Sequence, residues 1–266
     1  MVVLKLNSKG EEVKKLQEKL GLKADGVFGL KTEKAVKDWQ RDHGLIPDGI
    51  VGTTTWNSIF LQSEPEIDKP EGFVIKEMFL PTNKGMHMGI RGNHRIKYLV
   101  IHYTAGGSSK EGSAASNRNV FLTRNASADF CIDDKTIVQC NPDPLKYYCW
   151  AVGDGKGKYG INNYDCISIE MCSNLKKGTT AKVPNHEGWY LTDEVINNTI
   201  KLAKYLIDKY NISINNVIRH YDATHKLCPG IIGWNPGPIY DSKTAEKTKV
   251  FSNEDEWYNF KKQLVS

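Results

Sequence analysis

Two imidazoles and one thiol stand at positions that suit a metal ion. His102 closes the apolar run Tyr98-Leu99-Val100-Ile101, and His220 and Cys228 lie eight residues apart in the segment Arg219-His220-Tyr221-Asp222-Ala223-Thr224-His225-Lys226-Leu227-Cys228-Pro229-Gly230. A set of three such donors suits zinc and leaves one coordination position open, the arrangement of catalytic rather than structural zinc. A carboxylate, Glu170, sits inside a second apolar run, Ile167-Ser168-Ile169-Glu170-Met171. Burying a carboxylate is costly unless it is paired or put to use, so Glu170 is either a proton carrier or half of a salt bridge with Arg124 or Arg219. Lys226 is a loop lysine distinguished by its place two residues before Cys228. His225 beside it is read as solvated, and His43, His87, His94 and His186 receive no role. Asp222 either bonds a ligand histidine from behind or caps its own loop. Tyr148 and Trp150, before Gly153-Asp154-Gly155, either line a sugar or peptide groove or belong to the core.

These residues need strands and loops to gather them. Ile96 to Tyr103 is apolar on both alternating faces, as a central strand covered on both sides would be. Ala128 to Ile132 and Thr136 to Cys140 flank Asp133-Asp134-Lys135 as a hairpin would, and Asp165 to Met171 reads as a further buried strand. Thr192-Asp193-Glu194 opens a helix whose apolar residues Val195, Ile196, Thr199, Ile200, Ala203, Leu206 and Ile207 recur at helical spacing. A short strand, Asn216 to Arg219, delivers His220, and Asn253 to Leu264 supplies a last helix. The three chemical motifs then fall at strand ends, where loops bring distant parts of a chain together.

The start of the chain repeats itself at an offset of 23 residues. Leu16-Gln17, Gly21-Leu22, Asp25-Gly26, Gly29 and Thr32 recur as Trp39-Gln40, Gly44-Leu45, Asp48-Gly49, Gly52 and Thr55. Each unit reads as an amphipathic helix stopped by a glycine and followed by an Asp-Gly turn, with Thr32 and Thr54 or Thr55 as start caps of the next helix. Residues 62–72, with two prolines and a glycine among polar residues, read as a partly stiff linker. The expected domains are therefore 1–61, a small helical domain, and 73–266.

Composition limits the alternatives. The chain of 266 residues is 39% hydrophobic and 25% charged, as ordinary globular proteins are. Its net charge of +5 is spread out: residues 1–62 hold ten basic against eight acidic side chains. No concentrated basic face marks a nucleic-acid partner, while an anionic cell wall is compatible. No run reaches the roughly 18 apolar residues of a membrane span, and the N-terminus lacks the basic and apolar regions of a signal peptide. The expectation is a chain made and kept in the cytosol unless another system releases it. Of the six cysteines, those in strand-like runs are expected to be reduced buried thiols.

The paired Asp-Gly-x-x-Gly-x-x-Thr pattern over residues 4–60 resembles the type 1 peptidoglycan-binding domain, a three-helix module. The motifs Ile101-His102-Tyr103-Thr104-Ala105-Gly106, Ile167 to Met171 and His220 to Cys228 resemble the zinc-dependent N-acetylmuramoyl-L-alanine amidases that share a fold with peptidoglycan recognition proteins, over roughly residues 93–232. The resemblance implies an α/β fold with a mixed central sheet flanked by helices. It assigns His102, His220 and Cys228 as zinc ligands, Glu170 as the catalytic acid and base, and Lys226 as the cation that stabilises the oxyanion. It implies cleavage of the amide between the lactyl group of N-acetylmuramic acid and L-alanine, with peptidoglycan as partner. Where some relatives carry Tyr-His on the second strand, this chain has Ala128-Asp129, so no tyrosine acts there, and Asp129 either orients a ligand or bonds its turn. The competing readings are a recognition protein that binds without cutting and a zinc peptidase acting on D-alanine bonds. Without a signal peptide, a phage endolysin that reaches the wall after membrane breach is favoured over a bacterial autolysin.

Overall fold

The computed structural model describes residues 3–42, 45–60, 75–82, 87–92, 94–153, 157–179, 183–249 and 253–265. Two compact units divide the chain, Met1–Glu66 and Ile67–Ser266. The expected linker over 62–72 lies outside the described residues.

The first unit holds helices α1 (Glu11–Lys19), α2 (Leu30–Asp42) and α3 (Thr53–Phe60) around a core of Leu4, Val13, Leu16, Leu20, Phe28, Val36, Val51 and Ile59. Its internal repeat has a physical cause. The buried Gln17 carboxamide accepts the Gly26 N–H at 2.8 Å, and its nitrogen lies within bonding distance of Asp25 Oδ1, the Val27 carbonyl and Thr32 Oγ1. Gln40 does the same with Gly49, Asp48, Ile50 and Thr55. Gly49 adopts φ +77, and a Cβ there would press on the Glu33 and Lys37 side chains, so glycine is required on two counts. The structure corrects the expected start caps. Thr32 and Thr55 lie inside α2 and α3, where each hydroxyl accepts from the buried glutamine at 3.1 Å; the side chain of Thr54 lies outside the described residues.

The second unit contains, in chain order, β1 (Ile75–Glu77), β2 (Met88–Ile90), β3 (Tyr98–Tyr103), α4 (Ser113–Phe121), β4 (Phe130–Ile132), β5 (Ile137–Gln139), β6 (Tyr147–Cys149), β7 (Cys166–Met171), β8 (Asn174–Leu175) and β9 (Trp189–Tyr190). It continues with α5 (Asp193–Tyr210), β10 (Val217–Arg219), α6 (His220–Thr224), β11 (Ile239–Tyr240), β12 (Lys247–Lys249) and α7 (Asp255–Gln263). One sheet runs in the order β1-β5-β4-β7-β3-β10. Its neighbours are parallel except for the expected β4–β5 hairpin. This is the mixed α/β sheet flanked by helices.

Alternation along the central strands assigns the faces. Leu99, Ile101, Ile167, Ile169 and Met171 pack with Val195, Leu202, Ala203 and Leu206 of α5, so His102 and Glu170 are left on the opposite face. Helix α5 is fixed at its start by Thr192, whose hydroxyl accepts from the Val195 N–H at 3.3 Å, and at its end by Asn211 in the left-handed conformation. Trp234, Trp257 and Phe260 extend the same core into α7. The other face carries a cluster with four free buried thiols, Cys131, Cys140, Cys149 and Cys172.

The glutamine network yields a stability prediction. Gln40→Ala leaves the buried Gly49 N–H and Thr55 hydroxyl short of partners, and is expected to destabilise the first unit by about 2–4 kcal/mol. The measurement is amide hydrogen exchange over α2 and α3 in the full chain, where exchange should accelerate; unchanged exchange would contradict the role given to the network.

Candidate active site

Strand register builds the site. The parallel β3–β7 pairing sets His102 opposite Glu170, and β10 pairs Arg219 with Ile101, so that His220 leaves its strand beside His102. The donor atoms of His102, His220 and Cys228 all lie within 4.8 Å of one another. The two imidazole rings meet edge to face at 4.6 Å between centroids, and His102 Nδ1 is 3.8 Å from Cys228 Sγ. His102 and Cys228 are each 3% exposed, and His220 is half-buried.

The loop that brings Cys228 back is closed by its own backbone. Tyr221 N–H donates to the Cys228 carbonyl at 3.0 Å, and His225 takes the left-handed conformation at φ +63 that lets the chain reverse. Gly230 follows at a point where a Cβ would collide with the Tyr103 hydroxyl, so the loop can lie against β3 only with glycine there.

Behind His220, Arg219 is buried and committed elsewhere. Its guanidinium and backbone N–H bond both oxygens of Asp222, and it also donates to the Trp234 carbonyl and to Glu254. Asp222 therefore caps α6 through Arg219. Arg124 is exposed on the surface. Neither arginine serves Glu170, so the salt-bridge alternative for that carboxylate falls away.

Three polar atoms in the site, His102 Nε2, His220 Nδ1 and Glu170 Oε2, are buried without a hydrogen-bond partner among the described residues. Each such atom costs roughly 1–3 kcal/mol unless something else satisfies it. Two nitrogens and a sulfur within ligand distance of one another, beside an unsatisfied carboxylate, fit a metal ion with an open position.

Burial sets the protonation states. It pushes both imidazoles down, His102 well below 6.5 and His220 to about 4, with Lys226 and, at His102, the second imidazole adding to the effect. It pushes the Cys228 thiol up to about 12, helped by the Glu170 charge and opposed by the Tyr103 amide and Lys226. Glu170 is raised by burial from 4.5 to about 8, with Lys226 pulling it back. Lys226, exposed on its loop, is thus the cation felt by all four groups.

An open cleft of about 720 Å³ borders His220 and is lined by Tyr148, Trp150, Asn125, Asn163 and Thr224 together with residues 151–153. Tyr148 and Trp150 therefore belong to a groove. Asp129 stands apart from the metal-donor cluster: fully buried, it accepts from the Ser168 amide and hydroxyl and from Asn141, bracing β4 against β7. His225 is exposed, as expected. His94 meets the Tyr164 ring at a tilt, 4.2 Å between centroids, while His87 and His186 are buried; His43 lies outside the described residues. Sequence reasoning passed over Asn163, because its partners are backbone groups that leave no trace in residue type.

Fold and site together define an α/β domain with a candidate two-histidine, one-cysteine metal centre at the carboxyl ends of parallel strands. The chain belongs to the N-acetylmuramoyl-L-alanine amidase family, whose profile matches residues 92–231. Residues 9–59 match a peptidoglycan binding domain. Among relatives, N-acetylmuramoyl-L-alanine amidase BlyA of Bacillus subtilis is 26% identical over 66% of this chain and 48% of its own length. XlyA of the same organism, also named as such an amidase, is 31% identical over 50% of this chain and 39% of its own length. The chain thus spans less than half the length of these two relatives. Two solved structures share the fold, a point mutant of PlyL and a mutant endolysin from Bacillus subtilis. Each is 24% identical with a TM-score of 0.50, over 73% and 72% of this chain and 99% and 98% of theirs.

The raised Glu170 carboxyl predicts a pH signature. Holding its proton more tightly than an ordinary carboxylate, it costs the native state stability as pH rises from 4.5 through 8. Metal-free Glu170→Gln is expected to unfold at a higher temperature than metal-free wild type at pH 8, with the gain gone at pH 4.5. A difference that does not vary with pH would contradict burial as the cause.

Proposed function

We propose that this chain hydrolyses peptidoglycan at the amide joining the lactyl group of N-acetylmuramic acid to L-alanine. The observation that carries the reading is the convergence of His102, His220 and Cys228 within 4.8 Å, beside Glu170, whose buried Oε2 carboxylate strand register sets opposite His102. Family membership supports the same bond. The three residues would hold zinc, which supplies Lewis acidity to the scissile carbonyl and to the attacking water.

This chain's own groups do the rest. Glu170, on the same face as His102 and raised toward neutrality, accepts the proton of the attacking water and returns it to the departing L-alanine amine. Its Oε2, without a hydrogen-bond partner among the described residues, is free for that exchange. Lys226 places a fixed positive charge where the carbonyl oxygen becomes negative. The depressed imidazole pKa values keep His102 and His220 neutral and available as donors near neutral pH.

The division of labour follows the two units. The three-helix domain, placed at 1–61, would hold the wall, and 62–72 would tether it to a catalytic domain over 73–266. Tethering raises local substrate concentration on an insoluble polymer. No helix among the described residues is long and apolar enough to cross a membrane.

The test uses the full chain on purified bacterial walls, with mass spectrometry of released fragments. New L-alanine amino termini should appear, vanish with chelator and return with zinc. Lys226→Met should keep its zinc and lose about 10²–10³ in kcat. Release of D-alanine termini, or no cleavage by zinc-loaded protein, would overturn the reading.

A further inference from the structure

The cleft beside His220 has a wall made by one side chain holding three backbone amides. Asn163 Oδ1 accepts the N–H groups of Ala151, Val152 and Gly153 at 2.9, 2.7 and 3.2 Å. Three consecutive donors on one oxygen fix the course of a segment that lacks strand or helix pairing of its own. The segment is pinned on both sides. Trp150 N–H donates to Ser127 Oγ at 2.8 Å, and Val152 is buried with Ile161 and Ile218. Tyr164, next to Asn163, meets the Tyr148 ring edge to face at 6.2 Å. That ring lies so close over Gly89 that any side chain there would displace it.

The chemistry of this arm is selective. Among the described residues lining it, apart from His220 itself, none is titratable near neutral pH; it offers aromatic rings, carboxamides, a threonine hydroxyl and main chain. A stem peptide brings carboxylates and an amine, for which such a wall has no counter-charge. A neutral sugar brings hydroxyls and an acetamido group that carboxamides can bond, and an apolar ring face that aromatic side chains can cover.

We propose that Asn163 is a positioning residue that shapes this uncharged arm to take the N-acetylmuramoyl ring of the substrate. This rests on the cleavage proposed above and names the part of the substrate bound on the Tyr148–Trp150 side. Asn163 touches no reacting atom; it acts through the 151–153 backbone.

The experiment compares two soluble substrates on zinc-loaded full-length protein: N-acetylmuramoyl-L-alanyl-D-isoglutamine, and the D-lactoyl-dipeptide with the same amide bond and no sugar. Wild type should cut the sugar-bearing substrate with the lower KM. Asn163→Ala should raise that KM about tenfold with kcat nearly unchanged, the signature of lost uniform binding, and leave the KM of the lactoyl compound unaltered. Asn163→Asp, which keeps an acceptor oxygen in place, should behave as wild type. Should Asn163→Ala fail to fold, Tyr148→Ala must show the same sugar-dependent loss. An equal KM increase on both substrates, an unchanged KM in Asn163→Ala, an Asp variant as impaired as the Ala variant, or a Tyr148→Ala protein with undiminished sugar preference would overturn the proposal. Wild type cutting neither substrate would instead overturn the cleavage reading itself.

Discussion

The register of three parallel strands is the constraint on which the rest of this structure depends. Pairing of β3 with β7 sets His102 against Glu170, and pairing of β10 with β3 brings His220 alongside. Side chains alternate across a strand, so a slip of one residue would send His102 or Glu170 into the α5 core. The register is held by apolar residues on the far face, Leu99, Ile101, Ile167 and Ile169, which fit under α5 in only one phase. Packing on one side of the sheet thereby fixes chemistry on the other. Cys228 arrives differently, on a loop closed by Tyr221 and seated against Tyr103 through Gly230.

Burial gives the site its electrical character. Both imidazoles are pushed toward neutrality, the thiol is pushed to about 12, and Glu170 toward about 8. Without a cation the four groups form a neutral, under-satisfied pocket, with polar atoms of three of them lacking partners among the described residues. A divalent ion reverses this logic, because its charge favours thiolate and carboxylate where burial opposed them. The fold thus holds these groups together at a cost that a bound metal would offset. Arg219 shows the contrast: paired in register with Ile101, it lies on the other face of the sheet from Glu170, and its charge is met by Asp222 and Glu254.

Much of this is legible in the sequence because apolar runs mark buried strands and His102, Glu170 and His220 sit at their ends. The β4–β5 hairpin, helix α5 with Thr192 as its cap, and the three helices of the first unit stand where pattern places them. What sequence does not disclose involves partners distant in the chain or made of backbone. Thr32 and Thr55 look like helix caps by position, yet a buried glutamine 15 residues earlier in the chain claims each hydroxyl. Asp129 reads equally as a ligand-orienting residue or a turn residue; it braces two strands through Ser168 and Asn141. Asn163 carries no motif, since the three amides it gathers belong to Ala151, Val152 and Gly153.

The central claim is that strand register and one loop assemble a nitrogen, nitrogen, sulfur zinc shell with a position left for chemistry. X-ray absorption at the zinc edge of the full-length protein tests it directly. The account predicts two imidazole nitrogens at about 2.0 Å, one sulfur at about 2.3 Å and one light oxygen scatterer, with the sulfur lost in Cys228→Ser. A zinc shell without sulfur in the wild-type protein, or one with two or more sulfurs, would contradict it.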